Sequence, residues 1–539
     1  MPAFFFTFLC DVVTRMITFR QPAAVLLAFA SVVIVAVFVG YFPGLSAPFY
    51  LDDRVSIVEN QAFAKHDVLL LWQLFGSRFI GYFSLYLNYL VSPENTVFYR
   101  ITNLIIHFLN GLLLGLLYRR LCQFLKVKAH LWLAVVLIAL WLVHPLHSAA
   151  VTYIVQRLAA LVTFFGLLTL YSYMRFRNDH KKTWLILALL AFAAAVMTKQ
   201  NAVVLPLMIF VFEWLYGGKR RQLNFILAGC IALILICGWL APEFSEWLDV
   251  RSRETTLYSR WDYFSAQGYV LLLYWAKLLF IYPLQLDMTM PIQSISIEVR
   301  YSALVLHALL MLLAAISYKR LPLFTLGVFW FYLLNLVESG VIPIVDLAFE
   351  HRAYFPDCAL VLALVGLIPL GFGVVHPRIW FLFAIGTLIF STIKLYQRNE
   401  LWQQPEQFHL QNISNNPTAA KAMATVGAIY AREGKFTLAN DYMTKSFEYQ
   451  FEQGSISVGT IVNIMKVRFE MKEYQSGVNL AVLGLKSINE PRLRSDLLAA
   501  MAVGYINMGY CDFAKGLIQT ALSLNPSNSQ ALLIKDVCN

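Results

Sequence analysis

Long apolar runs, each closed by a basic cluster, constrain this chain more than any other feature. The first extends from about Gln21 to Tyr41 and follows Arg15 and Arg20. A helix of about 20 apolar residues crosses the roughly 30 Å of bilayer hydrocarbon. Further runs lie near Ile101–Tyr118, Leu131–Val143 and Ala149–Met174, on both sides of Lys199-Gln200-Asn201, and near Asn224–Leu240. The basic clusters are Arg119-Arg120 with Lys126 and Lys128, then Arg175, Arg177, Lys181 and Lys182, then Lys219-Arg220-Arg221. With the N-terminus inside, all three fall on the cytoplasmic side, as the positive-inside rule requires. Composition agrees: 59% of the 539 residues are hydrophobic and 14% charged, against about 25% charged in a soluble domain. The chain reads as an all-α polytopic membrane protein.

The first run lacks a small-residue cleavage site, so it is expected to remain as an uncleaved span. Lys65–Leu90 mixes aromatics with Arg78 and Asn88 and reads as interfacial helices. Arg251, Arg253 and Arg260 interrupt the charge pattern in an external loop. The run Tyr269–Tyr282, with Lys277 inside and Pro283 after it, reads as re-entrant or interfacial. Spans near Tyr301–Ser317, Leu321–Val337, Tyr354–Phe372 and Ile379–Lys394 then bring the expected number to about eleven, with the C-terminus outside.

From Tyr396 the composition turns polar, so the membrane domain is drawn as 1–396, with a first external loop at 42–98 and a linker at 397–415. Residues 416–539 show helical periodicity with a repeat. Gly427, Tyr430, Gly434, Phe436 and Ala439 mark one helix-turn-helix unit, and Tyr505, Gly509, Ala514, Ala521 and Pro526 another. A weaker unit around Tyr474 lies between them, giving three tetratricopeptide-like repeats. Such stacks expose a concave surface for peptide or protein; a plain helical cap is the simpler alternative. The net charge of +11 is scattered between apolar runs and forms no basic face, which argues against a nucleic-acid partner. Seven cysteines show no metal-binding spacing. If the repeats are outside, Cys511 and Cys538 are free to form a disulfide.

On this topology several polar groups gather at external span ends. They are Asp52-Asp53-Arg54, Arg78, His144 and His147, Gln156-Arg157, Lys199-Gln200, Glu338, and Glu350-His351-Arg352. Singly, each is explained by helix capping, snorkelling or a local ion pair. Together they describe a pocket with carboxylates, imidazoles and cations on one face. Cations suit a phosphate, and a carboxylate suits a general base for a hydroxyl. Two carboxylates also suit magnesium or manganese, with Asp53 as a ligand, although cationic side chains alone handle a sugar phosphate.

The motifs resemble those of the transmembrane and tetratricopeptide repeat-containing (TMTC) proteins, within the GT-C superfamily of glycosyltransferases that use lipid-linked sugars. The carriers are Asp52-Asp53, Arg78, Leu87-Asn88-Tyr89, Tyr99-Arg100-x-x-Asn103-x-x-x-His107-x-x-Asn110, His144-Pro145-x-His147 through Arg157, Thr198-Lys199, and Glu350-His351-Arg352-x-Tyr354-x-Pro356. The chain departs from the family pattern at Phe79, Gln200 and Ala149.

The resemblance implies an inverting transfer of sugar from a polyprenyl-phosphate donor to Ser or Thr hydroxyls of an extracytoplasmic protein, such as a pilin or surface protein. By that resemblance Asp52 or Asp53 is the base, with Asp53 favoured. Arg78, Arg157, Lys199, His351 and Arg352 bind the donor phosphate, and His144, His147, Glu350 and Tyr354 support the pocket. The repeats hold the acceptor, and the setting is a bacterial inner membrane with site and repeats periplasmic. Competing readings are a non-enzymatic scaffold for envelope or pilus assembly, an oligosaccharide ligase or polymerase, and a transporter. A transporter would carry charges at mid-membrane depth and broken helices in paired halves; here the charges lie at span ends.

Overall fold

The computed structural model describes residues 22–129, 131–217, 258–280, 283–288, 290–371, 377–452 and 456–538. The expected span at 224–240, Arg15, Arg20, Lys219-Arg220-Arg221, Arg251 and Arg253 lie outside them. The described residues form helices and no strand. They divide into a membrane unit (1–284, 295–344 and 348–404) and a C-terminal unit (285–294, 345–347 and 405–539).

In the membrane unit the helices are α1 (Pro22–Tyr41), α2 (Val68–Phe75), α3 (Phe79–Val91), α4 (Thr96–Leu125), α5 (Leu131–Leu142), α6 (Arg157–Asp179) and α7 (Lys182–Val196). They continue with α8 (Leu205–Tyr216), α9 (Arg260–Leu278), α10 (Ile297–Ile316), α11 (Pro322–Asn335), α12 (Tyr354–Gly371) and α13 (Pro377–Trp402). Five described segments are long and apolar enough to cross a bilayer: Phe29–Ser46, Val68–Val91, Thr96–Leu125, Ile154–Asp179 and Ile297–Ile316. A sixth, Ala134–Leu142 with Pro145–Val151, is bent by 46° at its break.

Val68–Val91, expected at the interface, therefore has the length and apolarity of a span. The break in the bent pair falls at Pro145, whose ring cannot continue a helix and whose missing N–H opens the ladder. Helix α9, which overlaps the expected re-entrant run, buries Gln267 and Lys277. The boundary drawn at 396 falls inside α13, and most of the expected linker is itself helical (Pro405–Asn415).

The C-terminal unit comprises α14 (Pro405–Asn415), three helix pairs and a last short helix, α21 (Ser529–Ile534). The pairs are α15 (Ala420–Arg432) with α16 (Phe436–Glu452), α17 (Val458–Glu470) with α18 (Tyr474–Ser487), and α19 (Pro491–Asn507) with α20 (Cys511–Leu524). Each pair turns through one left-handed residue: Gly434 at φ +75°, Lys472 at +62° and Gly509 at +84°. Glycine takes that conformation without the Cβ clash that Lys472 bears, which explains why the middle unit is the weakest in sequence.

A core of Val426, Met443, Ile461, Ile464, Met465, Ala481 and Leu497 runs through the pairs. The unit is not built from the C-terminal sequence alone. Asp287 accepts the Ala422 N–H at 3.0 Å, capping the start of α15, and Leu286 N–H donates to Asn412 Oδ1 at 2.9 Å. Lys421 pairs with Asp346 at 2.5 Å.

Cys511 and Cys538 are joined in a disulfide across 27 positions of chain. Reduction is expected to destabilise this unit by about 3 kcal/mol, because a ring of that size removes unfolded-state entropy. Urea unfolding of the intact protein with and without reductant, against Cys511→Ser as control, measures it. Equal midpoints in the two conditions would remove the disulfide from the account.

Candidate functional site

The sequence from Phe42 to Arg54 leaves α1 and folds as a tightly anchored loop. Its main staple is Arg100, fully buried on α4. The guanidinium donates to Thr152 O at 2.8 Å, Leu45 O at 3.2 Å, Pro48 O at 2.7 Å and Ala47 O. A buried cation is tolerated only when its donors are met, and four loop and turn carbonyls meet them here. The far end of α13 adds further ties. Asn399 donates to Gly40 O at 3.0 Å, Thr152 donates to Asn399 Oδ1, and Tyr50 OH donates to Trp402 O at 2.7 Å.

Within this loop the two aspartates face opposite ways. Leu51 sits at φ +37°, a strained conformation for a branched side chain, costing about 1 kcal/mol. After that kink the Asp53 side chain turns inward and is fully buried. Its Oδ2 accepts Tyr50 N–H at 3.0 Å and its Oδ1 accepts Val155 N–H at 2.8 Å. Burial pushes its carboxyl up to about 7, while those two N–H groups and Arg100 oppose the rise. Asp52 is exposed, and its own N–H donates to Tyr153 OH at 3.2 Å. Arg54 is also exposed and pairs only loosely with Glu59, at 3.6 Å.

A second constellation gathers cations. Lys199 and Glu338 pair at 2.6 Å, each largely covered. Arg78 donates to Gln200 Oε1 at 3.3 Å, and Arg352 lies 5.2 Å over the Phe349 ring. Arg78 and Arg352 both act on the pair. Burial lowers the Lys199 ammonium pKa, and Arg352 and Arg78 push the same way against Glu338. Burial would raise Glu338, but Lys199, Arg352 and Arg78 outweigh it and hold the carboxyl below its ordinary range. Three cations around one carboxylate leave two positive charges in a partly dry site, which suits a phosphate.

The other residues read from the sequence stand elsewhere. Arg157 is buried and donates to Asn103 Oδ1 at 2.6 Å, Ser84 O at 2.8 Å and Tyr99 O at 2.9 Å, so it joins α3, α4 and α6. His351 stacks on Phe349 at 5.1 Å between ring centres. Glu350 is buried against Lys277 at 2.9 Å and Arg398 at 3.4 Å.

His144 accepts from Leu146 N–H and donates to Leu278 O, while His147 donates to Trp141 O and meets Asp357 at 3.1 Å. Tyr354 meets His107 Nδ1 at 2.6 Å and accepts from Asn110 at 3.2 Å. These side chains form a polar web inside the unit, with both imidazole nitrogens of each histidine engaged. Arg100, Tyr153, Lys277 and Arg398 carry comparable burdens without having been singled out as site residues. Arg100 alone left a signal, inside the Tyr99-Arg100 motif.

Among the described residues no group of three or more His, Cys, Asp or Glu side chains gathers to hold a metal. Asp53, the expected metal ligand, has each oxygen turned to a backbone N–H group.

No family model matches the chain. It is 23% identical over 428 residues to the protein O-mannosyl-transferase F38B6.6 of Caenorhabditis elegans, covering 73% of this chain and 59% of that protein. It is 28% identical over 193 residues to the human protein O-mannosyl-transferase TMTC3, covering 32% of this chain and 20% of that protein. The chain thus spans little more than half of one relative and a fifth of the other. These homologues are protein O-mannosyl-transferases of the TMTC family, in line with the resemblance read from the motifs.

Proposed function

We propose that this membrane protein, a homologue of protein O-mannosyl-transferases, moves a sugar from a polyprenyl-phosphate donor to Ser or Thr hydroxyls of an acceptor protein. The observation that carries this reading is the division of labour at Asp52-Asp53. One carboxylate is spent on holding the loop, and its neighbour is presented outward on a rigid base.

Asp52 is the general base and Asp53 positions it. A base near pH 7 has the right acidity for the task, but reach comes before acidity, and Asp53 has neither exposure nor a free oxygen. Asp52 takes the acceptor hydroxyl proton as that oxygen attacks the anomeric carbon. The bond from that carbon to the phosphate oxygen breaks through an oxocarbenium-like transition state, with inversion. The leaving phosphate keeps the bonding electrons, and Arg78, Lys199 and Arg352 stabilise its charge.

The C-terminal helix pairs, read as tetratricopeptide-like repeats, hold the acceptor. The Cys511–Cys538 disulfide supports an extracytoplasmic place for them, since such bonds persist in oxidising compartments. A bacterial inner membrane with the site on the periplasmic face fits this arrangement.

Purified full-length protein in nanodiscs, given synthetic polyprenyl-phosphate mannose and a Ser/Thr-rich envelope protein, is expected to add hexose mass to the acceptor. Comparing envelope proteins from cells with and without the gene identifies the natural acceptor and sugar. No mass gain in either experiment would favour the scaffold reading.

A further inference from the structure

We propose that Tyr153 is a positioning residue for the general base, its phenol holding Asp52 in the outward geometry that transfer requires. The inference rests on Asp52 being the base and goes beyond it. The Tyr153 oxygen accepts the Asp52 N–H at 3.2 Å. The phenol therefore fixes the backbone from which the carboxylate projects.

Tyr153 is itself fixed. It is only 3% exposed, and its ring centre lies 6.1 Å from that of Trp402. The residues around it are tied to the same loop: Thr152 O receives Arg100, and Val155 N–H donates to Asp53. The turn 152–155 thus grips the loop directly at Asp52 and Asp53 and, through Arg100, at a third place, and Tyr153 is the point that holds Asp52. The strain at Leu51 makes such a grip necessary, because a left-handed leucine relaxes unless its surroundings over-determine it.

Phenylalanine would fill the same space but could not accept the Asp52 N–H, so the tyrosine hydroxyl carries the role. Burial and the two neighbouring aspartates raise the phenol pKa well above its usual value, so it stays neutral throughout the working pH range.

Tyr153→Phe isolates the hydroxyl. With full-length protein in nanodiscs and polyprenyl-phosphate mannose as donor, kcat is expected to fall about tenfold with donor KM unchanged. A purely structural tyrosine would lower the amount of active protein without lowering kcat per active molecule, and an unchanged kcat overturns the proposal.

Two controls separate the layers. Asp52→Asn at full rate would remove the base assignment itself, whatever Tyr153→Phe does. Hydrogen exchange of the peptide spanning 50–54 needs no activity; it is expected to quicken at least tenfold in Tyr153→Phe, and unchanged protection also overturns the anchoring role.

Discussion

Asp52→Asn is expected to cut sugar transfer by about 10²- to 10⁴-fold, the usual worth of a general base, with little change in melting temperature. The side chain is exposed and makes no buried contact that the amide would break. Asp53→Asn is expected to behave differently, although the two residues are adjacent. The Asp53 carboxylate accepts one backbone N–H on each oxygen. An amide can accept only one of them and turns its own N–H₂ toward the other. A buried donor left unsatisfied costs about 1–3 kcal/mol, so this variant should melt earlier and lose activity through the loop. Thermal melts of both proteins beside intact-mass transfer assays make the comparison. Normal transfer by Asp52→Asn would reject the base assignment, and equal melting of the two variants would reject the division of labour.

Arg352→Ala should weaken binding of the donor phosphate about 10- to 100-fold, as expected for a hydrogen bond to a charged group. Its guanidinium is mostly covered and acts on both Lys199 and Glu338, so its loss halves the surplus positive charge of that cluster. The loss should grow smaller at high salt, where screening has already weakened the attraction. Arg54→Ala is the matched control: that arginine is more than half exposed and loosely paired, and should leave binding unchanged. Titration of polyprenyl phosphate into the three proteins reads the effect. Identical affinities for Arg352→Ala and the unaltered protein would separate the cation cluster from donor binding.

Much of this molecule was legible before any coordinates. The apolar runs and their basic punctuation called for a polytopic helical protein, because a bilayer accepts only segments whose backbone bonds are internal. Glycines at the hairpin turns marked the outer two C-terminal pairs, while the middle turn, built on Lys472, left little trace. The polar residues of the loops were found, but their roles were not. Arg157 and Arg352 look alike in a sequence, yet one spends its donors on three protein acceptors and the other joins a cationic cluster. Asp287 and Asp346 gave no sign that they build the C-terminal unit, since a cap supplied from over a hundred residues away has no local pattern.

By itself the sequence determined the class of protein, the family it resembles and the pair of adjacent aspartates in its first loop. Periodicity, length and charge are local properties, and these conclusions need nothing else. Only the tertiary structure chose which aspartate is buried and which exposed. That choice depends on one strained backbone angle at Leu51, on N–H groups from Tyr50 and Val155, and on an arginine and a tyrosine brought in from elsewhere in the chain. Adjacent residues of one chemical type differ in role only through what surrounds them, and long-range packing sets those surroundings.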